Sequence, residues 1–445
     1  MDQATGRKVR PFAITHRMVA MLAIPMTLAY MTTPLLGLVD TSVAGRLNDP
    51  AQLGGLAVGA VIIDVIFATF NFLRSGTTGM TAQAVGAEDE KEKQAVLARA
   101  LLIAAITGAA LIVLMVPILT LALWLMAPGA DVAEATRSYF YIRTAGAMFA
   151  LANYALLGWL IGLGRAGLGL ALQIIVNGTN MVLSIALGLW LGYGLAGIAL
   201  GTVIGELLGT IAGLLICRRL IDTSTTPSRN RIFDRDSMLR FANLNGDIMI
   251  RSFVLLGAFG YFTAQGANMG ETVLAANAVL LNFFFISGYF LDGMATAAEQ
   301  LVGRAIGANY REGFWRGIKL TLVWNALIAA ALFAVLYLAG PWLVNTITTM
   351  PEVRALAQAY LLPAALTALT GVLAFQMDGV FIGAVWSREM SLMMVLSFII
   401  YITAWQLLQG YGNTGLWIAL HIFLVARGFA LLARLPVKAR QTFGY

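Results

Sequence analysis

The chain has 445 residues, 59% of them hydrophobic and 11% charged, with a mean hydropathy of +0.81 and a net charge of +7. No single soluble core buries that much apolar surface, which excludes soluble enzymes, free nucleic-acid-binding modules and disordered scaffolds. At about 20 residues per crossing there is material for about a dozen membrane helices and little else.

The first 17 residues, MDQATGRKVRPFAITHR, are polar and basic. The apolar run behind them, at about 18–45, lacks a small-residue cleavage pattern and reads as a retained first helix. Further apolar runs bounded by Gly, Pro or charge fall at about 53–80, 95–117, 136–160, 167–190, 194–217, 240–263, 273–298, 316–340, 353–380, 389–409 and 413–435. The stretch after Pro117 is ambiguous and is taken as the end of the third helix and its loop. The expected fold is therefore an all-α polytopic membrane protein of about twelve transmembrane helices.

When the loops are assigned alternately to two sides, about 22 Lys and Arg, among them Arg7, Lys8, Arg10, Arg218, Arg219, Arg316, Lys319 and Lys438, fall on one side. Only Arg46, Arg137 and Arg354 fall on the other. That asymmetry places both termini of a multi-pass protein in the cytoplasm. The longest polar stretch, Arg218 to Arg240, lies near the centre of the chain. It divides the sequence into an N-terminal six-helix lobe (1–220), a cytoplasmic linker (221–239) expected to be more mobile than the helices, and a C-terminal six-helix lobe (240–445).

The halves resemble each other. LAVGAVIIDVIFATFNFLRSGTTGMTAQAVGA from Leu56 matches LAANAVLLNFFFISGYFLDGMATAAEQLVGRAIGA from Leu274, with a short insertion near the end. GWLIG from Gly158 matches GVFIG from Gly379, and YGLAGIAL from Tyr193 matches YGNTGLWIAL from Tyr411. Matches in the same order at nearly one offset indicate a duplication. An even number of helices per half gives both copies one orientation, so the two bundles should be related by an axis along the membrane normal with a central cleft.

Chemistry is sparse. Cys217 is the lone cysteine, and His16 and His421 lie far apart, so structural zinc is set aside. No phosphate-binding loop or nucleophile elbow is present, which leaves no site for ATP hydrolysis in the chain and no sign of an enzyme. Ionisable residues inside apolar runs need an explanation. Of these, Arg74, Arg251 and Arg427 read most simply as arginines near helix ends whose heads reach water. Asp40 differs, because it follows an apolar run containing Pro25 and Pro34, which disturb the helix that carries it. Its alternative is an interfacial aspartate. Gln173, Asn177, Asn180 and Ser184 share one face of the fifth helix, and Thr202 and Glu206 one face of the sixth. They either surround Asp40 as a small polar cavity or serve as interhelical hydrogen bonds. In the second half, Asp292 and Glu299 are two turns apart on one side of the eighth helix, and Asp378 sits near an end of the tenth. For these three a structural ion pair and a functional role both remain open.

Taken together, LVDTSVAGRL (38–47), FLRSGTTGMTAQAVGA (72–87), LLGWLIGLGRA (156–166), NGTNMVLS (177–184), TVIGE (202–206), FLDGMATAAEQLVGRAIGA (290–308) and MDGVFIGA (377–384) resemble the multidrug and toxic compound extrusion (MATE) transporters, DinF branch. The resemblance implies two six-helix lobes and secondary antiport of small organic compounds, lipophilic or cationic, against H+, alternatively Na+, by alternating access. It implies no cofactor and no ATPase subunit, the lipid bilayer as surroundings, no nucleic acid, and a monomer. It maps the coupling residue onto Asp40, its partners onto Asn180, Ser184 and Thr202, and the helix-bending proline onto Pro25. Many relatives carry an acid where this chain has Ser184. One carboxylate fewer favours protons over Na+, since hard cations want several oxygen ligands including charge. The rivals weighed are a flippase for a lipid-linked precursor, which would want a basic cluster for pyrophosphate, an intramembrane enzyme, and a passive channel.

Overall fold

A computed structural model of the chain describes residues 8–444, so Arg7 of the basic N-terminal cluster lies outside the described residues. The described chain is helical, with seventeen α-helices. They are α1 (His16–Gly45), α2 (Pro50–Thr69), α3 (Phe72–Gly86), α4 (Glu90–Val113), α5 (Met115–Met126), α6 (Ala130–Ala145), α7 (Ala147–Gly162), α8 (Ala166–Ile185), α9 (Gly194–Leu220), α10 (Arg229–Ile232), α11 (Arg235–Asn268), α12 (Glu271–Gly307), α13 (Arg311–Ile347), α14 (Pro351–Ala359), α15 (Leu361–Ala384), α16 (Ser387–Leu408) and α17 (Gly412–Phe443).

Among the described residues, ten helical runs are long and apolar enough to cross a membrane, and α6 with α7, joined at a 50° bend, makes an eleventh. The longest run, Ser387–Phe443, is 57 residues. Its length would be about 85 Å as one rod, far beyond a bilayer of about 30 Å. It turns at Gly412, whose φ of +56° suits glycine, and α17 packs back on α16. Counted as two, it brings the total to twelve. Large apolar side chains such as Trp124, Trp190, Leu338 and Trp342 face outward, as expected where lipid replaces water as solvent.

The segment after Pro117 departs from expectation. It is a helix of its own, α5, because Pro117 falls in the first turn, where a missing N–H costs nothing. Elsewhere local signals act as the sequence suggests. Asp49 caps α2, its side chain accepting from the Ala51 N–H at 2.9 Å with Pro50 next in line, and Asp89 caps α4 by accepting from the Glu92 N–H at 3.0 Å.

The chain forms two compact units, residues 28–242 and residues 1–27 together with 243–445, which differs from a division at 220 and 240. The difference arises inside α1, which runs unbroken through Pro25 and Pro34 while its first half packs with the later residues. Arg10 N–H donates to Ala308 O at 2.9 Å, and the Trp324 indole donates to His16 Nδ1 at 3.0 Å.

In the unit of residues 28–242, α7 is the central helix, packed by α3, α4 and α9. In the other, α15 is central, packed by α12, α13 and α17. Both centres use the same device. A Cβ on Gly158 or Gly162 of α7 would strike the backbone oxygens of Arg74 or Thr78 on α3. One on Gly379 or Gly383 of α15 would strike those of Ala295 or Glu299 on α12. Residues 74, 78, 158 and 162 thus become 295, 299, 379 and 383, a single shift that carries the duplication into backbone contacts and places the insertion before Ala295.

The linker makes specific contacts with α4. The Arg99 guanidinium, fully buried, donates to Ile232 O at 2.9 Å, Arg231 O at 2.6 Å and Glu92 Oε1 at 2.7 Å, while Arg231 pairs with Asp89 and Glu92. Gln94 donates to Asp222 O at 2.9 Å. The Asp222 carboxyl lies below the usual carboxylate range because the Ser224 hydroxyl and N–H both donate to it.

Candidate functional site

The polar interior of the unit of residues 28–242 starts from the glycines of α9. Gly197, Gly201, Gly205, Gly209 and Gly213 recur every fourth residue, and a Cβ on Gly201 would sit 2.8 Å from Ser184 N and one on Gly205 2.7 Å from Val176 O. This stripe lets α9 close onto α8, so that Asn177, Asn180 and Ser184, all buried, lie beside Thr202 and Glu206, also buried. The four-residue glycine period was the signal in the sequence for this contact. Immediately after Ser184, residues 186–190 widen into a π-helical turn.

Asp40, on the second half of α1, is buried at 9% exposure. Its carboxyl lies beside the Ser184 hydroxyl, and its Oδ1 has no hydrogen-bond partner. Ser184 Oγ donates to Asn180 Oδ1 at 2.9 Å, and the Asn177 amide donates to Thr32 Oγ1, linking α8 to α1. Asp40, Ser184 and Asn180 are thus brought together, while Asn177 makes an interhelical hydrogen bond. Gln173 is half-buried at the end of their face. Thr202 stands apart chemically, for its hydroxyl donates to Ile198 O of its own helix at 3.1 Å.

Glu206 has a partner the sequence did not reveal. Arg143 of α6 donates to its Oε1 at 3.0 Å, with both side chains under 10% exposed, and Glu206 Oε2 has no partner. The Arg143 charge also reaches Asp40 and Asp64, its guanidinium lies 5.7 Å from the Phe67 ring centroid, and Tyr139 bonds to it. Asn153 of α7 donates to Glu206 O at 2.8 Å. One guanidinium thus serves two buried carboxylates, Asp40 and Glu206, with the exposed Asp64 within reach of its charge. Nothing in the spacing of Arg143, Tyr139 or Asn153 marked them, because they come from helices whose rotation the sequence leaves open.

The other unit holds a different cluster. Asp378 of α15 pairs with Arg251 of α11 and Arg427 of α17. Arg427 is 2% exposed and its guanidinium lies 5.7 Å from the Phe375 ring centroid. This corrects the reading of Arg251 and Arg427 as arginines reaching for water: they point inward, because a buried carboxylate waits there. Arg74 likewise turns to protein, donating to Asn71 Oδ1 at 3.2 Å and Ser75 Oγ at 3.0 Å and lying over the Tyr30 ring. Asp292 and Glu299 share a helix side but not an environment, Asp292 being exposed and Glu299 buried against Gly383 of α15. Among the described residues, no group of three His, Cys, Asp or Glu side chains is placed to hold a metal ion.

The sequence profile of the MatE family matches residues 25–186 and 249–404, more than half of the chain. The chain is 38% identical over 419 residues to DNA damage-inducible protein F of Escherichia coli (strain K12), covering 93% of this chain and 90% of that one. It is 26% identical over 454 residues to the probable multidrug resistance protein NorM of Chromobacterium violaceum, covering 96% and 94%. Its fold matches a solved outward-facing multidrug resistance MATE family transporter of the MOP superfamily with a TM-score of 0.88, 97% coverage of both chains and 18% identity. With the duplicated helical bundles and the buried polar interior, these matches establish that the chain belongs to the multidrug and toxic compound extrusion family, a family of membrane transporters and not of enzymes.

Proposed function

We propose that the chain is a secondary active antiporter. It exports organic compounds, lipophilic or cationic, in exchange for protons by alternating access, with Na+ as the alternative coupling ion. The observation that carries this reading is Asp40, a buried carboxylate with one oxygen unpartnered, on a helix whose two halves belong to different compact units. Neutral, such a group needs no counter-ion; charged, it draws on Arg143, which already serves Glu206. A proton that favours one conformation and a substrate that favours the other expel each other without sharing atoms, provided each binds the two states unequally. Bending of α1 at Pro25 and Pro34 conveys the change, since each proline removes a backbone hydrogen bond.

The donor set supports protons over Na+. Position 184 is a serine rather than an acid, which leaves Asp40 without a second charged oxygen ligand beside it for a hard cation. Asn177, Asn180, Ser184, Thr202 and Glu206 set the surroundings of Asp40. Asp292, Glu299 and Asp378 are second-lobe candidates, and Asp378 is already paired with two arginines. The protein acts as a monomer in a bacterial inner membrane without an ATPase subunit, and its termini are cytoplasmic, an orientation that the distribution of Lys and Arg supports.

The test is reconstitution in liposomes with imposed pH and Na+ gradients and a panel of fluorescent cations. Efflux that follows the proton gradient alone is expected. Efflux that persists after both gradients collapse overturns antiport, and efflux that follows Na+ alone moves the coupling ion. A cysteine at Ser228 should be labelled from the cytoplasmic side; labelling from outside only overturns the orientation.

A further inference from the structure

A second site lies at the start of α13, away from the buried polar clusters. The segment before α1 and the first turns of α13 border an open cavity of about 1200 Å³, ample for a polar headgroup and the chain attached to it. Its lining carries three cations, Arg311, Arg316 and Lys319, against one acid, Glu312, with Trp315 beside them. Among the described residues, Arg316 and Lys319 have no ion pair or hydrogen bond, and both are exposed. His16 also lines the cavity; its Nδ1 accepts from the Trp324 indole, which leaves Nε2–H as a donor.

The pattern along α13 distinguishes possible ligands. Arg316, Lys319, Val323 and Leu327 recur at spacings of three and four and so share one face. The face is charged at its head and apolar below, with Val323 55% and Leu327 56% exposed and Trp324 beside them. From Arg316 to Leu327 the helix rises about 16 Å, roughly one leaflet of hydrocarbon. A free phosphate would use the cations and leave this apolar track unused, whereas a phospholipid uses both. We propose that this cavity is a binding site for an anionic phospholipid, whose phosphate pairs with Arg316 and Lys319 while an acyl chain lies along Val323 and Leu327.

The test uses the full chain reconstituted in vesicles of equal parts phosphatidylglycerol and phosphatidylcholine, then extracted and read by native mass spectrometry for retained lipid. Phosphatidylglycerol should be retained over phosphatidylcholine, and the preference should fall about five-fold for each of Arg316→Gln and Lys319→Gln. The charge-keeping pair Arg316→Lys with Lys319→Arg should restore it. The altered side chains are exposed, so thermal melting in pure phosphatidylcholine should match wild type, which separates lost binding from lost folding. Val323→Asn should weaken lipid retention. Unchanged phosphatidylglycerol preference in the double Gln variant overturns the site, and displacement of the lipid by inorganic phosphate reassigns it to a small free anion and overturns the lipid. None of these readouts depends on transport.

Discussion

The two units set opposite charges at the centres of their ion clusters. Residues 28–242 place three acids, Asp40, Asp64 and Glu206, around Arg143, whereas the other unit places two arginines on Asp378. A cluster with more acids than bases takes up positive charge readily, because an added proton or cation relieves repulsion. A carboxylate between two guanidiniums has no such need, and its loss leaves two like charges stranded. The difference fits the proposed uptake of the coupling ion in the first unit and an anchoring role for the second, although the two share one duplicated helical plan.

The strongest way to break that contrast is Asp40→Asn, which keeps the side chain's size and removes its proton. Gradient-driven efflux should fall to background at normal expression and an unchanged gel-filtration profile. Retained pH-driven efflux would move coupling to Asp292, Glu299 or Asp378. Next comes stability. Asp378→Asn should cost about 3–5 kcal/mol by leaving Arg251 and Arg427 facing each other, read as a lowered midpoint in thermal melting. Arg427→Gln should cost clearly less, because one arginine still balances Asp378; equal losses would deny the triad its charge logic. Third, Gly158→Ala and Gly379→Ala should each cost about 1–3 kcal/mol and by similar amounts, since each methyl would meet a helix backbone. A large inequality would show that the two close crossings are not equivalent. The smallest effect is expected for Thr202→Ala, within about 1 kcal/mol and with efflux near wild type, because that hydroxyl serves its own helix.

Much of this architecture is visible in the sequence, where apolar runs report helices and the paired LRSG and LDGM, GWLIG and GVFIG segments report the duplication. The face of α8 was legible because Asn177, Asn180 and Ser184 repeat at helical spacing. What stayed hidden depends on rotation and on contacts between distant helices. Arg251 and Arg427 look like helix-end arginines until α11, α15 and α17 are assembled around Asp378. Arg143 and Asp64 carry only the mark of an ionisable residue in an apolar run, which does not say what either one meets. The linker's composition does not show that Arg99, 133 residues from Ile232, holds it by its carbonyls. The boundary inside α1 was illegible for a similar reason, since a continuous apolar helix does not announce which neighbours each half will find.

The partition of α1 also constrains how the protein is made. Residues 8–27 leave the ribosome first, but Arg10 and His16 find their partners at Ala308 and Trp324, some three hundred positions later. Closing so long a loop carries a large entropic delay compared with pairing adjacent helices. The opening segment must therefore wait, inserted but unpaired, through most of translation, exposed to the quality-control machinery of the membrane. Truncated chains ending before Trp324 should accordingly be degraded faster than chains ending just beyond α13.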